Sequence, residues 1–257
     1  MASTPADTVK YELRESIAWI TLDRPEALNA LDLEARRTLA QFLMDFNDDR
    51  EALVLVITGT GNRAFCAGAD VKEMSTEGQK SPRSNVLPII GRNVKVDKPT
   101  IAAVNGLAYG AGFLIAQMCD LCIAADSASF AIPEANIGRG APWAASLPWL
   151  IPPRVALELL MTGDPTSADR ALSVGLVNQV VPSEELPDAA TVLAERIARN
   201  APLTVRTARK AVYAAAYGMD QIVEQVDAMW DPIYESSDAT EGPRAFRERR
   251  DPIWKGQ

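Results

Sequence analysis

The sequence predicts an α/β fold, because short aliphatic segments alternate with helical patterns over the first 150 residues. The segment 53–57, Leu-Val-Leu-Val-Ile, is typical of a strand covered on both faces, and 101–104 and 121–125 indicate two more short strands. Beyond about residue 150 the apolar residues recur with helical spacing. The chain has 257 residues, 47% of them hydrophobic, which is enough to bury a large core.

The N-terminal segment predicts two strands and a helix. Residues 9–13 and 17–22 have the composition of strands and are separated by the polar turn 14–16. Asp32 is placed to cap the helix that follows, because a carboxylate there accepts a hydrogen bond from an unpaired N–H of the first turn. The apolar face of this helix follows i, i+3, i+4, i+7 spacing and comprises Leu39, Phe42, Leu43 and Phe46.

The middle of the chain predicts a loop and a buried helix. Residues 76–85 are polar and rich in residues that interrupt regular structure, so we expect a mobile loop there. Residues 110–118 are apolar nearly all round, which indicates a helix surrounded by protein.

Three helices are predicted in the C-terminal part. Ser183 is placed to cap the first, and the acidic residues that follow it favour the N-terminal end of a helix. Pro202 begins the second, and the third starts near Met219. The predicted apolar stripes are Leu186, Ala190, Leu193 and Ile197 in the first helix and Val205, Ala208, Val212 and Ala216 in the second.

Composition excludes several classes of function. Lys and Arg total 26 against 34 Asp and Glu, and the net charge of −8 disfavours nucleic acid as a partner. Histidine is absent, which excludes Ser-His-Asp catalysis, Cys-His catalysis and His-ligated metal sites. We predict that Cys66, Cys119 and Cys122 are reduced, buried thiols of a cytoplasmic protein without a metal site. No apolar run reaches the roughly 20 residues that span a bilayer and no secretory signal is present, so no membrane partner is expected.

Six segments together resemble the enoyl-CoA hydratase/isomerase (crotonase) superfamily in their order and spacing. They are Arg24 to Leu31, Ala64 to Asp70, Lys98 to Gly106, Gly110 to Gly112, Phe130 to Glu134 and Ala171 to Asn178. The resemblance extends over almost the whole chain, from about residue 7 to residue 257. The stretch from Glu241 to Gly256 is also similar to carnitinyl-CoA dehydratases.

The resemblance implies a fold, an assembly and a substrate. The fold is a crotonase-type spiral of ββα turns, followed by helices that pack trimers, which often stack as hexamers. We therefore expect a spiral core over residues 1–195 and a helical trimerisation region over 196–257. The substrate is an acyl-CoA thioester, with coenzyme A as part of the substrate and no separate cofactor. The step shared by the family is stabilisation of the enolate formed from that thioester.

By the same resemblance, the backbone N–H groups of Ala69 and Ala111 form an oxyanion hole. Such donors stabilise charge that develops in the transition state and need no titratable side chain, which suits a chain without histidine. Ala111 also falls at the start of the predicted buried helix, where N–H groups are unpaired and the helix dipole favours an anion. The flanking Gly110 and Gly112 are expected to let the ligand approach the backbone closely.

Glu134 is the predicted catalytic acid/base, because it follows Pro133 in an apolar stretch where burial raises the pKa of a carboxyl group. Hydratases and carnitinyl-CoA dehydratases of this family have a second glutamate where this chain has Leu114, and leucine cannot hold or activate a water. The Δ3-Δ2-enoyl-CoA isomerases of the family have leucine there, and their next segment resembles Gly138 to Trp143. The resemblance therefore favours isomerisation, in which one carboxylate moves a proton from C2 to C4 of a 3-enoyl thioester.

The resemblance also implies the remaining substrate contacts. The segment along the pantetheine and nucleotide matches Glu26, Ala27 and Leu28, and the adenine end matches Cys66, Ala67, Asp70 and Val71. Residues that could reach the phosphates are Phe246, Arg249 and Arg250, although the two arginines also fit a solvated basic face. The acyl pocket is expected to include Tyr109, Leu114, Trp143 and the loop 76–85. Gly68, Gly110 and Pro133, which adjoin the catalytic groups, complete the predicted contacts.

Two other functions stay open. A hydratase or dehydratase that uses Glu134 alone, or recruits another acid, would act on 2-enoyl-CoA. A non-catalytic CoA- or RNA-binding relative is the alternative of another class, which the intact Glu134 and the charge of −8 disfavour. Arg139, beside the predicted acyl pocket, faces either the solvent or a carboxylate of the substrate.

Overall fold

The computed structural model describes residues 8–70, 87–137, 140–217 and 235–257. The strands of these ranges are β1 Val9–Arg14, β2 Ile17–Leu22, β3 Val54–Gly59, β4 Ala64–Cys66, β5 Thr100–Val104, β6 Leu107–Tyr109, β7 Leu121–Ala125, β8 Ser129–Ala131, β9 Thr166–Ser167 and β10 Gln179–Val181. The α-helices are α1 Leu33–Asp48, α2 Ala111–Met118, α3 Pro153–Thr162, α4 Ala168–Ser173, α5 Leu186–Ala198, α6 Pro202–Tyr217 and α7 Ser237–Glu248.

The strands form two sheets, and the chain passes repeatedly from one to the other. The first sheet has the order β1-β2-β3-β5-β7-β10 and the second the order β4-β6-β8-β9. Strands β3, β5 and β7 lie in the first sheet, and the strand that follows each of them lies in the second. Neighbouring strands run parallel, apart from the antiparallel pairs β1/β2 and β8/β9. The predicted α/β fold is confirmed, as are the predicted strands of the first sheet from β1 to β7.

Helix α1 covers the first sheet as its sequence pattern predicts. The side chains of Leu39, Leu43 and Phe46 are fully buried, whereas Phe42 is partly buried with its ring centroid 5.5 Å from that of Tyr11. The carboxylate of Asp32 accepts a hydrogen bond of 2.8 Å from the backbone N–H of Ala35, so the predicted cap is confirmed.

The start of α5 differs from the prediction. Ser183 makes no capping bond; it begins a short 3-10 turn, and its hydroxyl donates to the carboxylate of Asp126 at 2.9 Å. The predicted cap is therefore wrong, because the hydroxyl is used to fasten this turn to the end of β7. Helix α5 itself begins at Leu186 and packs against β2, β3, β5 and β7 through a stripe in which Leu186 and Ala190 are buried.

The predicted apolar stripe of α6 is wrong in its second half. Val212 is 67% exposed and Ala216 is exposed, while Ala211 is buried. The face of α6 that meets the core is polar at this point: Asp120 accepts hydrogen bonds of 2.8 Å from Arg209 Nε and from the Tyr213 hydroxyl. A hydrophobic pattern cannot reveal a helix that docks through a buried ion pair.

The C-terminal segment is tied back onto the rest of the protein. The carboxylate of Asp238 in α7 accepts hydrogen bonds of 2.8 Å from the backbone N–H groups of Lys255 and Gly256, and the Trp254 indole donates to the carbonyl of Arg199. The predicted helix near Met219 and the predicted loop 76–85 lie outside the described residues. The predicted division into residues 1–195 and 196–257 stays a prediction, and α5 crosses that boundary.

The three cysteines are buried. Burial raises the pKa of the Cys66 and Cys122 thiols to about 12 and that of Cys119 well above its ordinary value, so all three stay protonated at neutral pH. The described residues contain no group of three or more His, Cys, Asp or Glu side chains that could hold a metal ion. In the same part of the chain no helix has the length and apolar character needed to cross a membrane.

Candidate active site

The three predicted catalytic positions follow three neighbouring strands of the second sheet. Strands β4, β6 and β8 are adjacent and parallel, so their carboxyl ends lie at the same edge. Ala69 comes three residues after β4, Ala111 two after β6 and Glu134 three after β8. Parallel pairing of short strands thus brings together groups that are far apart in the sequence.

Two glycines show how closely these groups approach one another. A Cβ on Gly110 would lie 3.3 Å from Glu134 Oε1 and 3.9 Å from Gly68 Cα. A Cβ on Gly68 would lie 3.8 Å from the backbone nitrogen of Ala111. Both glycines have positive φ, +53° and +113°, which side chains rarely permit. The absence of side chains at these two points leaves room between the carboxylate and the backbone N–H groups.

The Ala69 N–H belongs to a segment that is held by hydrogen bonds on either side of it. Leu31 N donates to Gly68 O at 2.8 Å, and Asp70 N donates to Leu31 O at 3.0 Å. A third bond joins Ala67 N to Leu28 O at 3.0 Å. Among the bonds of the described residues none uses the Ala69 N–H, so this donor is available to a ligand.

The turn at residues 24–32 supplies those bonds, and Arg24 fixes the turn to Asp70. The Arg24 guanidinium donates to Ala30 O at 2.8 Å and lies 3.1 Å from Asp32 and 3.2 Å from Asp70. All three charged side chains are mostly buried. Because Asp70 is the residue after Ala69, this ion pair holds the peptide that carries the predicted oxyanion donor.

Asn29 is the second polar anchor of the 24–32 turn. Its side chain is 1% exposed, and its Nδ2 donates to Thr60 O at 3.0 Å and to Ala64 O at 2.7 Å. Its Oδ1 accepts from Arg24 N at 2.9 Å, and its φ of +56° lies in the left-handed region. The roles of Arg24 and Asn29 were not predicted from the sequence. The available signal was a polar Asn inside an apolar run, because a buried amide must be hydrogen-bonded.

Ala111 is the first residue of α2, as predicted, and its N–H accordingly has no partner within the helix. The role predicted for Gly112 is wrong. A Cβ on Gly112 would lie 2.0 Å from Cys66 O, so this glycine allows α2 to pack against β4, and Cys66 fills the space where a side chain would project. Cys66 has 0% exposed surface, and the contact predicted for it with the adenine end of CoA stays a prediction.

Glu134 lies in the short 3-10 helix Pro133–Ile137, directly after β8, and its side chain is mostly buried. Burial raises the pKa of Glu134 above its ordinary value, and a hydrogen bond from its own backbone N–H offsets part of the rise. Its Oε2 is buried and has no hydrogen-bond partner. An unpaired buried acceptor costs about 1–3 kcal/mol, and such a group is ready to accept a proton.

Leu114 follows Ala111 by one helical turn and forms an apolar wall beside the predicted oxyanion hole. It is 2% exposed and lines a cavity of about 940 Å³ together with Met118 and Trp143. Gln117 is the polar member of this wall. Its Nε2 donates to the Ser146 hydroxyl at 2.5 Å, while its Oε1 is buried without a partner.

The other predicted contacts fall into three groups. Leu28 adjoins Ala67 through the backbone bond already described, and Glu26 and Ala27 belong to the same turn, with Glu26 exposed. The hydroxyl of Tyr109 lies 3.1 Å from that of Ser129. Val71, the loop 76–85, Gly138, Arg139 and the side chain of Phe246 lie outside what the structure describes.

Arg250, one of the two arginines predicted near the CoA phosphates, forms ion pairs within the C-terminal segment. Arg250 lies 2.6 Å from a carboxylate oxygen of Glu241 and 2.7 Å from one of Glu248. Arg249 is exposed and has a φ of +54°. The pairing of Arg250 fastens the C-terminal segment to α7, and contact of these arginines with a ligand stays a prediction.

Comparison with known proteins gives consistent matches over nearly the whole chain. Residues 12–257 match the family model described as enoyl-CoA hydratase/isomerase. A carnitinyl-CoA dehydratase of Salmonella paratyphi A is 40% identical over 250 residues, which cover 93% of this chain and 94% of the relative.

Solved structures of similar proteins share the fold. The crystal structure of an enoyl-CoA hydratase from Mycobacterium tuberculosis H37Rv matches with a TM-score of 0.90 and 35% identity, over 98% of this chain and 100% of that one. An enoyl-CoA hydratase/carnithine racemase from Magnetospirillum magneticum matches with a TM-score of 0.89 and 29% identity, over 98% and 96% of the two chains.

Proposed function

Because the chain belongs to the enoyl-CoA hydratase/isomerase family, whose members act on acyl-CoA substrates, we propose that it isomerises 3-enoyl-CoA thioesters to 2-enoyl-CoA thioesters. One observation carries this proposal. Glu134 presents a buried, unpartnered carboxylate oxygen, while Leu114 stands where the family resemblance places the second glutamate of a hydratase. Among the residues that the structure describes, Glu134 is therefore the proton-transfer group that we assign to this site.

The proposed reaction needs only groups that converge at this edge of the second sheet. The thioester oxygen accepts hydrogen bonds from the Ala69 and Ala111 N–H groups, which stabilise the negative charge of an enolate. Glu134 takes a proton from C2, and the electron pair spreads over a dienolate. The same carboxyl returns a proton to C4, so the double bond moves from C3–C4 to C2–C3 with no net gain or loss of atoms.

The apolar wall supports proton transfer over water addition. A hydratase must hold and activate a water molecule, which requires polar partners for it. Leu114 offers none. Burial raises the pKa of Glu134, which favours a carboxyl poised to exchange protons. We propose that coenzyme A lies along the 24–32 turn and residues 66–70, because backbone bonds join these segments beside Ala69.

A second candidate function is that of a dehydratase or hydratase. The observation in its favour is the 40% identity to a carnitinyl-CoA dehydratase over 93% of this chain. In this case Glu134 alone, or with an acid outside the described residues, would handle both the proton and the hydroxyl group. Activity on 2-enoyl-CoA distinguishes this candidate from the isomerase.

The experiment that tests the proposal supplies the purified protein with 3-hexenoyl-CoA and 2-hexenoyl-CoA in separate reactions. Conjugation is followed by absorbance and water addition by mass. We expect conversion of the 3-enoyl ester without hydration, and a loss of about 10²–10⁴-fold in rate for Glu134→Gln. Glu195→Gln, an exposed glutamate of α5, is the matched control. Hydration of 2-hexenoyl-CoA at a comparable rate would overturn the isomerase in favour of the second candidate.

We also propose that the chain assembles as a trimer or a dimer of trimers. Helix α3 supports self-association, because Leu157 and Met161 on this helix are 53% and 74% exposed, and Leu150 just before it is 41% exposed. The mass of the particle in solution, measured by light scattering, tests this directly. A monomer of 27.8 kDa would contradict it.

A further inference from the structure

The cavity beside Leu114 has an unusual charge for this protein. Five of its lining residues carry positive charges and one carries a negative charge, although the whole chain has a net charge of −8. The cations are Arg92, Lys95, Arg206, Arg209 and Lys210, and the anion is Asp97. Cations that gather around one cavity in an acidic chain create a local field that attracts an anion.

Two of these cations are already paired. Lys95 lies 3.0 Å from Asp97, and Arg209 lies 2.8 Å from Asp120, which is mostly buried behind it. The other three, Arg92, Arg206 and Lys210, have no carboxylate within 4.0 Å among the described residues. These three are exposed at the rim of the cavity. The positive field at the rim is therefore uncompensated by the part of the protein described here.

Helix α2 leads from the predicted oxyanion hole to this cavity. Ala111 begins the helix, Leu114 follows one turn later, and Gln117 and Met118 follow after a second turn on the same face. At about 1.5 Å per residue, the distance along the axis from Ala111 to Met118 is about 10 Å. An acyl chain whose thioester carbonyl meets the Ala111 N–H can follow this face past Leu114 and end within the cavity.

The wall of the cavity also indicates a polar acyl group. Oε1 of Gln117 is buried and has no partner, and a plain hydrocarbon chain would leave it so. This acceptor needs a hydrogen-bond donor, which an ionised carboxylate lacks, so the bond comes from a water molecule that hydrates the carboxylate. The walls formed by Trp143 and Trp149 are apolar and suit the methylene part of the chain.

We propose that the acyl group recognised by this protein ends in a carboxylate, so that its substrates are CoA monothioesters of dicarboxylic acids. This inference rests on the proposed function, which places the thioester at the N–H groups of Ala69 and Ala111. It adds the chemical group at the opposite end of the acyl chain. Arg206 and Lys210, one helical turn apart on α6, face that end together with Arg92. A carnitinyl group bears a permanent positive charge, which the same rim repels.

The CoA phosphates are the other source of negative charge that these cations could meet. The two sources differ in a measurable way. If the rim binds the CoA phosphates, it lowers the Kd of every CoA thioester by the same factor. If the rim binds the end of the acyl group, it lowers the Kd only of thioesters with a terminal carboxylate.

The experiment measures binding of saturated thioesters, which the enzyme can neither isomerise nor hydrate. Hexanoyl-CoA, adipoyl-CoA and 6-trimethylammoniohexanoyl-CoA have the same chain length and end in a methyl, a carboxylate and a cation. Titration calorimetry with the full chain gives a Kd for each. We expect adipoyl-CoA to bind about tenfold tighter than hexanoyl-CoA at low ionic strength, and the cationic thioester to bind more weakly than both. In 0.5 M salt the preference should shrink.

Variants identify the groups responsible. In the double variant Arg206→Gln/Lys210→Gln the ratio of the hexanoyl-CoA and adipoyl-CoA dissociation constants should fall close to one. Arg37→Gln, an exposed arginine of α1 far from this cavity in the sequence, is the matched control and should leave the ratio unchanged. Circular dichroism verifies that the variants are folded.

The outcomes separate this inference from the proposed function. Equal binding of hexanoyl-CoA and adipoyl-CoA, with 3-hexenoyl-CoA still isomerised, overturns the carboxylate specificity alone. An unchanged ratio in the double variant, with both thioesters weakened, assigns the rim to the CoA phosphates and also overturns it. Failure of every thioester to bind contradicts the proposed function and the inference together.

Discussion

The two halves of the candidate active site are built on opposite principles. On the Ala69 side, the 24–32 turn and the segment 64–70 are joined by backbone bonds, by the buried amide of Asn29 and by the ion pair of Arg24 with Asp70. On the Glu134 side, the carboxylate has a buried oxygen without a partner and a raised pKa. The donor that must stay still is fixed by many bonds, and the group that must exchange a proton is left unpaired.

This contrast follows from what each half does in the proposed reaction. An oxyanion donor lowers the barrier only if it is already in position when charge develops, because no energy is then needed to reorient it. A general base must bind and release a proton near neutral pH, and strong partners for its ionised form would lower its pKa. If both carboxylate oxygens of Glu134 accepted strong hydrogen bonds, its pKa would fall and it would no longer exchange protons near neutral pH.

The largest expected effect comes from a change that disturbs both halves. Gly110→Ala would place a methyl group 3.3 Å from Glu134 Oε1 and 3.9 Å from Gly68 Cα, at a residue with a φ of +53°. We expect at least a 10³-fold loss of kcat for isomerisation, because the methyl group separates the base from the oxyanion donor. Steady-state kinetics measure the loss.

Gly61→Ala is the matched control for Gly110→Ala. Gly61 also has a positive φ, of +84°, but nothing lies within 4 Å of a Cβ there. Both changes should cost about 1–3 kcal/mol of stability through backbone strain, measured by urea unfolding. Only Gly110→Ala should lose most of its activity; equal losses of activity in the two variants would contradict the close approach described here.

A smaller effect is expected when the rigid half alone is loosened. Asn29→Ala removes the hydrogen bonds to Thr60 O, Ala64 O and Arg24 N, and should destabilise the fold by about 2–4 kcal/mol. We expect kcat to fall about tenfold with little change in KM, because the Ala69 N–H loses its fixed position while Glu134 is unchanged. Kinetics and urea unfolding on one preparation measure both quantities.

Asn105→Ala serves as the comparison for Asn29→Ala. Asn105 is 9% exposed and bonds to Gly59 N, Gly61 O and Ala64 O. It therefore braces the same loop, and none of these three bonds involves the 24–32 turn. Asn105→Ala should lower the free energy of unfolding about as much as Asn29→Ala does, but it should lower kcat less. If kcat falls equally in both variants, the 24–32 turn has no special role in positioning Ala69.

A second carboxylate at position 114 would give the site the pair of acidic groups that the family resemblance places in hydratases. Leu114→Glu places an acidic group where the family resemblance puts the second glutamate of hydratases. We expect hydration of 2-hexenoyl-CoA to rise about tenfold over the parent protein, at a cost in stability from burying a carboxyl group at a position that is 2% exposed. Leu114→Gln, equal in size but unable to act as a base, should show no such gain.

The smallest effect concerns pH. Because the pKa of Glu134 is raised, kcat/KM for isomerisation should increase with pH through a pKa above the ordinary glutamate value and then level off. In the folded protein the neutral carboxyl is favoured, so its contribution to stability is fully present below the unfolded-state pKa of about 4.3 and is lost as pH rises through the folded-state pKa. Glu134→Gln should therefore be at least as stable as the parent at pH 7. A parent more stable than this variant at pH 7, in thermal unfolding, would contradict the raised pKa.

Much of the architecture could be predicted because hydrophobic patterns report burial directly. Strands β2, β3 and β5 and helix α2 are buried and consist mostly of apolar residues, so their positions follow from the sequence. Elements that dock through polar groups could not be found in this way. The face of α6 that meets the core is determined by hydrogen bonds from Arg209 and Tyr213 to Asp120. Ser183 likewise bonds to Asp126 instead of capping a helix.

For the candidate site, the residues were predicted by resemblance to a family, but their arrangement was not. Nothing in the sequence says that β4, β6 and β8 are parallel neighbours, which is why Ala69, Ala111 and Glu134 meet. The role of Gly112 was misassigned because a glycine that admits a ligand and one that admits Cys66 O look the same in a sequence. The anchoring by Arg24 and Asn29 depends on contacts across 35 to 46 residues, beyond the reach of local patterns.

The most direct test of the contrast between a fixed oxyanion donor and a single unpaired base is isotopic. 3-Hexenoyl-CoA is incubated with the protein in water enriched in ¹⁸O, and the products are separated and weighed by mass spectrometry. One base without a second carboxylate predicts 2-hexenoyl-CoA as the product, with no ¹⁸O in any acyl chain. Accumulation of 3-hydroxyhexanoyl-CoA carrying ¹⁸O, at a rate similar to that of isomerisation, would contradict it, because the site would then be holding and activating water despite Leu114.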